Sequence, residues 1–116
     1  MSMTNFRTSI YSICSSLNIP VYDYWPTNAA FPYCITQTVQ TIDDNAKNVE
    51  CGEHIFDIHI FDKYNGKASV ITYAESLRTA LYAATIADVD RSFSYLVMSD
   101  KEPDVAHAII TIRFKY

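Results

Sequence analysis

The sequence predicts one α+β domain: a four-stranded, mainly antiparallel sheet with two helices packed on one face. Two segments have apolar residues at helical spacing, and four have alternating apolar and polar residues. Their order is helix, strand, strand, helix, strand, strand, and strands joined by short loops are usually antiparallel neighbours. The 116 residues are 49% hydrophobic and 19% charged, which suits one core, and no linker, repeat or low-complexity run divides them. A single domain is therefore expected over residues 1–116.

The two helices are predicted over Thr4 to Leu17 and Ala68 to Ala84. Each carries an apolar stripe at i, i+3 and i+4 spacing, and polar residues occupy the rest of its surface. Thr4 or Asn5 could cap the first helix, while Asn18 and Pro20 mark its end. The stripes are Phe6, Ile10, Ile13, Cys14 and Leu17 in the first helix, and Val70, Tyr73, Ala74, Leu77, Ala80, Leu81 and Ala84 in the second.

The four strands are predicted over Tyr33 to Ile42, Glu53 to Asp62, Ser92 to Ser99 and Ala106 to Phe114. Side chains alternate between the two faces of a strand, so alternation of apolar and polar residues indicates one buried face. The last strand is predicted to be half-buried, with a polar outer face that includes His107. Phe56, Ile58 and Ile60 share one face of the second strand, and Phe93, Tyr95 and Val97 alternate with other residues in the third.

Composition and charge disfavour two classes of partner. The net charge is −4, and the basic residues are scattered without the Lys/Arg stripe that neutralises phosphates, so sequence-specific nucleic-acid binding is not expected. No apolar run reaches the roughly 20 residues of a membrane span, and the N-terminus lacks a secretory pattern. Three widely spaced cysteines suit reduced thiols. We therefore expect a soluble protein of the cytoplasm.

No catalytic, metal or cofactor site is predicted. Cys51, His54, Asp57 and His59 lie within nine residues, but on the predicted strand His54 points away from Asp57 and His59, so the ligands do not converge. Cys14 lies on a buried stripe, where a thiol behaves as a small hydrophobic group. With only two glycines, the chain has neither a phosphate-binding glycine loop nor a nucleophile elbow.

The segment from Pro20 to Pro32 is irregular and aromatic. Its three prolines rule out a regular helix or a central strand. Its rings either pack on the edge of the domain or serve as contact anchors, because Trp and Tyr are enriched at interface hot spots.

Three blocks of the sequence together resemble one protein family. They are Ile19 to Tyr33 (IPVYDYWPTNAAFPY) after a short N-terminal helix, Phe56 to Ala68 with its glycine-containing turn, and the closing strand Asp104 to Phe114. Their order and spacing are similar to those of the tail-terminator, or tail-completion, proteins of long-tailed bacteriophages and prophages. These proteins are also called minor capsid or head–tail joining proteins. The resemblance spans essentially the whole chain and carries no catalytic signature.

The resemblance implies a structural role in the virion. Such proteins form a hexameric ring at the head-proximal end of the tail tube, which ends tube polymerisation and presents a docking surface to the head. The implied partners are other copies of the chain, the major tail tube protein and the head connector or stopper protein, with DNA passing through the lumen without specific binding. The implied location is the neck region of the virion tail, and the host cytoplasm during assembly.

Three segments are the candidate contact surfaces, because core packing explains them least and loops on a rigid sheet often bind partners. They are the aromatic loop from Tyr22 to Phe31, the polar loop from Asp43 to Gly52, and the acidic turn from Asp100 to Asp104. Another phage neck component, or a monomeric ferredoxin-like protein-binding module, remains an alternative. The candidate residues are Tyr22, Tyr24, Trp25, Phe31, Asp43, Asp44, Lys47, Glu50, Asp100, Lys101, Glu102 and Asp104.

Overall fold

A computed structural model describes residues 3–27, 30–43, 51–63, 68–84, 90–99 and 105–115. These residues form two helices and five strands. Each predicted element is present, with its ends within two residues of the predicted ones. The elements are α1 (Met3–Ser15), β1 (Val21–Tyr22), β2 (Tyr33–Asp43), β3 (Gly52–Lys63), α2 (Ala68–Ala83), β4 (Asp90–Ser99) and β5 (Val105–Lys115).

The sheet has five strands in the order β1-β2-β3-β5-β4, so the prediction of four strands was wrong by one. The additional strand is β1, which pairs parallel to β2 at Cys34 and Ile35, and the Cys34 N–H donates to the Pro20 carbonyl over 2.9 Å. Pro20 directly precedes β1, and a short strand next to a proline is tolerated at a sheet edge. The other three pairings are antiparallel, as predicted.

Both helices pack on the same face of the sheet, which we call the helix face. Phe56, Ile58 and Ile60 of β3 point towards it, opposite Ile112, Ile110 and Ala108 of β5. The Phe6 ring of α1 lies 4.7 Å from the Phe114 ring, and the Tyr95 hydroxyl of β4 donates to Glu75 of α2 over 2.6 Å. Most residues of the predicted helical stripes lie in the core, while Tyr73, Ala80 and Ala84 are only partly buried against it. The buried ones are Phe6, Ile10, Ile13, Cys14, Leu17, Val70, Ala74, Leu77 and Leu81.

The ends of α1 follow local backbone chemistry. The helix begins at Met3, one residue before its predicted start at Thr4. At the other end Asn18 has a φ of 60°, a left-handed conformation that asparagine tolerates after a helix. The predicted stop signal at Asn18 thus turns the chain towards β1.

The carbonyl end of α2 is held by a side chain from β4. Arg91 Nη1 donates to the Leu81 carbonyl over 2.6 Å and to the Ala84 carbonyl over 3.1 Å. The last carbonyls of a helix have no partner within the helix and carry its negative dipole end, so a guanidinium satisfies both needs.

Replacing Arg91 with alanine is expected to lower the free energy of unfolding by about 1–2 kcal/mol, because two half-buried charged hydrogen bonds are lost. Urea denaturation followed by circular dichroism measures the change. Arg113→Ala is the matched control, since Arg113 makes only a half-exposed ion pair with Glu53 at 3.6 Å, worth about 0–1 kcal/mol. Equal losses in the two variants would show that Arg91 does not hold the helix end.

Candidate protein-interaction surface

The sheet face opposite the helices carries a cluster of rings, which we call the aromatic patch: Trp25, Phe31, Tyr33, His59, Phe61 and His107. The aromatic loop folds back over this face. The Trp25 ring lies 5.7 Å from the Phe61 ring and 6.0 Å from the His59 ring. The Tyr33 ring contacts both the Phe31 ring and the Phe61 ring, with centroid distances of 5.3 Å and 5.2 Å. Loop and strand residues therefore form one continuous surface.

Two histidines form part of the floor of the aromatic patch. The His107 ring stacks on the Phe61 ring at 4.1 Å, and His59 Nδ1 lies 2.7 Å from His107 Nε2. One of these two nitrogens donates its N–H and the other accepts, so the bond requires that the accepting nitrogen be unprotonated. His107 is only 9% exposed, which differs from the polar outer position that the sequence predicted. The cause is the neighbouring Phe61 on β3, whose ring covers it.

The rings of the aromatic loop contact the sheet and also remain partly exposed to solvent. The exposed fractions of Tyr24, Trp25 and Phe31 are 60%, 51% and 38%, although the Trp25 and Phe31 rings also contact the rings below them. Tyr22 is half-buried in β1, with its ring 5.6 Å from the Tyr24 ring. Packing on the domain and exposure to a partner are therefore compatible for these rings: the loop is anchored on the sheet and still presents a large apolar surface.

Of the charged candidate contact residues, the structure describes the position of one, Asp43. Asp43 is the last residue of β2, at the opposite end of that strand from Tyr33. The remaining candidates lie outside the described residues, and their roles stay predictions: Asp44, Lys47, Glu50, Asp100, Lys101, Glu102 and Asp104.

Two further surface features were missed by sequence reasoning. On β4, Leu96 is 58% exposed and Met98 is 38% exposed. Both stand on the sheet face opposite the helices, which we call the open face. The alternation of the strand predicts polar residues at these positions, and the apolar residues found there were the one signal in the sequence. The second feature is a groove of about 300 Å³ between α1 and β2, with the Arg7–Asp23 ion pair of 2.7 Å at its lining. It depends on the approach of distant segments, so no local pattern marks it.

The surroundings of the histidines and cysteines in the predicted elements suit a structural role. His54 is 2% exposed on the helix face, between the Phe6 ring and the Thr41 hydroxyl, whereas Asp57 and His59 stand on the open face. Cys14 and Cys34 are buried without a disulfide, and the hydrogen bond between their thiols, together with burial, raises the pKa of Cys14. A thiol that stays protonated is a poor nucleophile.

Two features are absent from the described part of the chain. No group of three or more His, Cys, Asp or Glu side chains there is placed to hold a metal ion. Among the described residues no helix is long and apolar enough to cross a membrane.

Comparison with known proteins identifies the family. The model of the family described as Tail completion protein gp17 matches residues 12–116. Among solved structures, the fold is similar to a chain of the virion of a native gene transfer agent particle, with a TM-score of 0.72 and 17% sequence identity. That match covers 97% of this chain and 94% of the other. No curated protein sequence matches. Since the family model spans nearly the whole chain, this chain belongs to the Tail completion protein gp17 family, and it is a structural protein of a phage tail.

Proposed function

We propose that the chain forms a hexameric ring on the head-proximal end of the phage tail tube, stops tube polymerisation there, and joins the tail to the head connector. The observation that carries this proposal is the family match over residues 12–116. The likeness of the fold to a chain of a virion particle agrees with it. In the virion the ring belongs to the neck of the tail, and it assembles in the host cytoplasm.

The physical properties of the chain suit this role. A closed ring needs one head-to-tail contact between two different surface patches, related by a rotation that closes, and a small domain can supply both patches. The net charge of −4 does not attract the negatively charged phosphates of DNA, so DNA could pass through the lumen without being bound. The aromatic patch presents exposed rings on a rigid sheet, the kind of surface in which a few large side chains carry most of the binding energy.

The proposed contacts divide between the aromatic loop and the charged segments. We propose that the exposed rings of Tyr24, Trp25 and Phe31 contact a protein partner, because removing their apolar surface from water lowers the free energy of the complex. Asp43 and the candidate residues of the polar loop and acidic turn are proposed as further contacts with the tube or the connector.

The test is to add the chain to the tail tube protein of the same genome while tubes polymerise. The expected result is tubes of limited length with a ring at one end in negative-stain images, and a solution species with the mass of a hexamer of the 13.2 kDa chain. Tubes that grow as long with the chain as without it would contradict the proposal. If the chain bound the connector but never the tube, another neck component would be the better assignment.

A further inference from the structure

The outer edge of β4 is an open strand edge without the usual protection. All ten residues of β4 pair with β5 in one continuous register, from Asp90 opposite Lys115 to Ser99 opposite Ala106. Within the described residues no strand lies on its other side. Alternate residues of such a strand direct their backbone N–H and C=O groups outward, where they can pair with another strand.

Natural proteins usually protect a long edge with lysine, proline, a bulge or a very short strand. β4 has none of these: its register is unbroken, and its only charged residues, Asp90 and Arg91, stand at its start. Arg91 is engaged with the end of α2. After the exposed Ser92 and Ser94, the exposed side chains from Tyr95 to Met98 are large and mostly apolar: Leu96 and Met98 on the open face, and Tyr95, 37% exposed, on the helix face. This edge is suited to be covered by a strand of another molecule.

The opposite edge of the sheet is β2, and only part of it is open. β1 covers β2 at Cys34 and Ile35, and the register shifts between Thr36 and Thr38. The length from Thr38 to Asp43 has no strand on its outer side among the described residues. On this length Ile42 is 41% exposed, and it stands on the same face of the sheet as Leu96.

The directions of the two edges are complementary. β2 is antiparallel to β3, β3 to β5, and β5 to β4, so β2 and β4 run in opposite directions. A second copy placed beside the first in the same orientation therefore brings its β4 antiparallel to the open length of β2. The contact is head-to-tail, and repeating it covers both edges of every copy when the rotation closes. A contact of β4 with β4 of a second copy would close after two copies and leave both β2 edges open.

We propose that β4 of one copy pairs antiparallel with the Thr38–Asp43 length of β2 in the next copy, so that the sheet continues from subunit to subunit. This inference rests on the proposed function, because it supplies the contact between neighbouring subunits of the ring. It makes β4 and the end of β2 the two halves of one interface, and it leaves the aromatic patch, near Tyr33 at the other end of β2, available to other partners.

The test blocks each edge separately with lysine, which resists burial in a strand-to-strand contact. One variant, Ser94→Lys with Leu96→Lys, blocks β4, and a second, Gln40→Lys with Ile42→Lys, blocks β2; all four residues are exposed and stand on the open face. Thr72→Lys with Thr79→Lys is the control, since it adds the same charge on the exposed side of α2. Thermal unfolding confirms that each variant is folded, and light scattering after size exclusion gives the mass.

The expected result is that each blocked variant alone is a monomer, while a one-to-one mixture forms a heterodimer of twice the 13.2 kDa mass. The heterodimer forms because each variant still has the edge that the other lacks. The control keeps the mass of the wild type. A β4-blocked variant that assembles like the wild type would overturn the inference, and so would a mixture that stays monomeric.

Other outcomes separate this inference from the proposed function. A β2-blocked variant that dimerises on its own would assign β4 to a contact with itself and overturn the head-to-tail pairing. A wild-type chain that stays monomeric at millimolar concentration would also overturn the pairing, whereas the tube-length experiment decides the proposed function independently. If wild-type rings cap tubes and the blocked variants do the same, the function stands and only the edge pairing fails.

Discussion

Phe114→Ala is expected to lower the free energy of unfolding by about 3–5 kcal/mol, the loss typical of a phenylalanine removed from a close-packed core. Phe114 is fully buried on the helix face of β5, with ring centroids 4.7 Å from Phe6 and 6.0 Å from Phe56. It thus joins α1 to the two central strands. Small domains have about 5–15 kcal/mol of stability in total, so this one change removes at least about a fifth of it. Urea denaturation followed by circular dichroism measures it.

The control for this prediction is Phe31→Ala, which removes the same side chain from a position that is 38% exposed. Its expected loss is about 1 kcal/mol, since only part of the ring is covered. Phe114→Leu should recover most of the stability, because it keeps the apolar volume. Similar losses for Phe114→Ala and Phe31→Ala would mean that the ring cluster is not the centre of the core.

The elements of the fold were predictable because their signals are local. The stripe from Phe6 to Leu17 and the alternation from Ala106 to Phe114 each depend on the period of one element, and both place their apolar residues in the core. The strand β1 was missed because a strand of two residues, Val21 and Tyr22, is too short to show a periodicity. Its position follows from the parallel pairing with Cys34 and Ile35, which is a contact between segments.

The surroundings of particular side chains were predicted less well, because they depend on sheet register. His107 stands on the face that its alternation predicts, yet it is buried, because the register puts it opposite Phe61 and diagonal to His59. Those partners are 46 and 48 residues away in sequence, so no local pattern marks them. The open edge of β4 has the same origin, since strand order, and not strand sequence, decides which strand is outermost.

Trp25→Ala is expected to raise the concentration of chain that stops tube growth by about 30-fold, the change that follows from losing a hot-spot contact of about 2 kcal/mol. Trp25 is 51% exposed, so a partner can cover the free part of the ring, while its other side already rests on Phe61 and His59. Because the ring is anchored in this way, it loses little conformational freedom on binding, which favours its role as a contact anchor. The measurement is mean tube length against concentration of the variant, imaged by negative stain.

The same anchoring gives Trp25→Ala a smaller effect on the fold, about 1 kcal/mol, because half of the ring is covered in the free chain. The variant should therefore unfold cooperatively at a slightly lower temperature while its capping activity falls sharply. Trp25→Phe is the control: it keeps an aromatic ring over Phe61 and should recover most of both properties. Unchanged capping by Trp25→Ala would remove this residue from the interface. A collapsed fold would instead show that the aromatic loop is part of the core, and the exposed rings would then need another explanation.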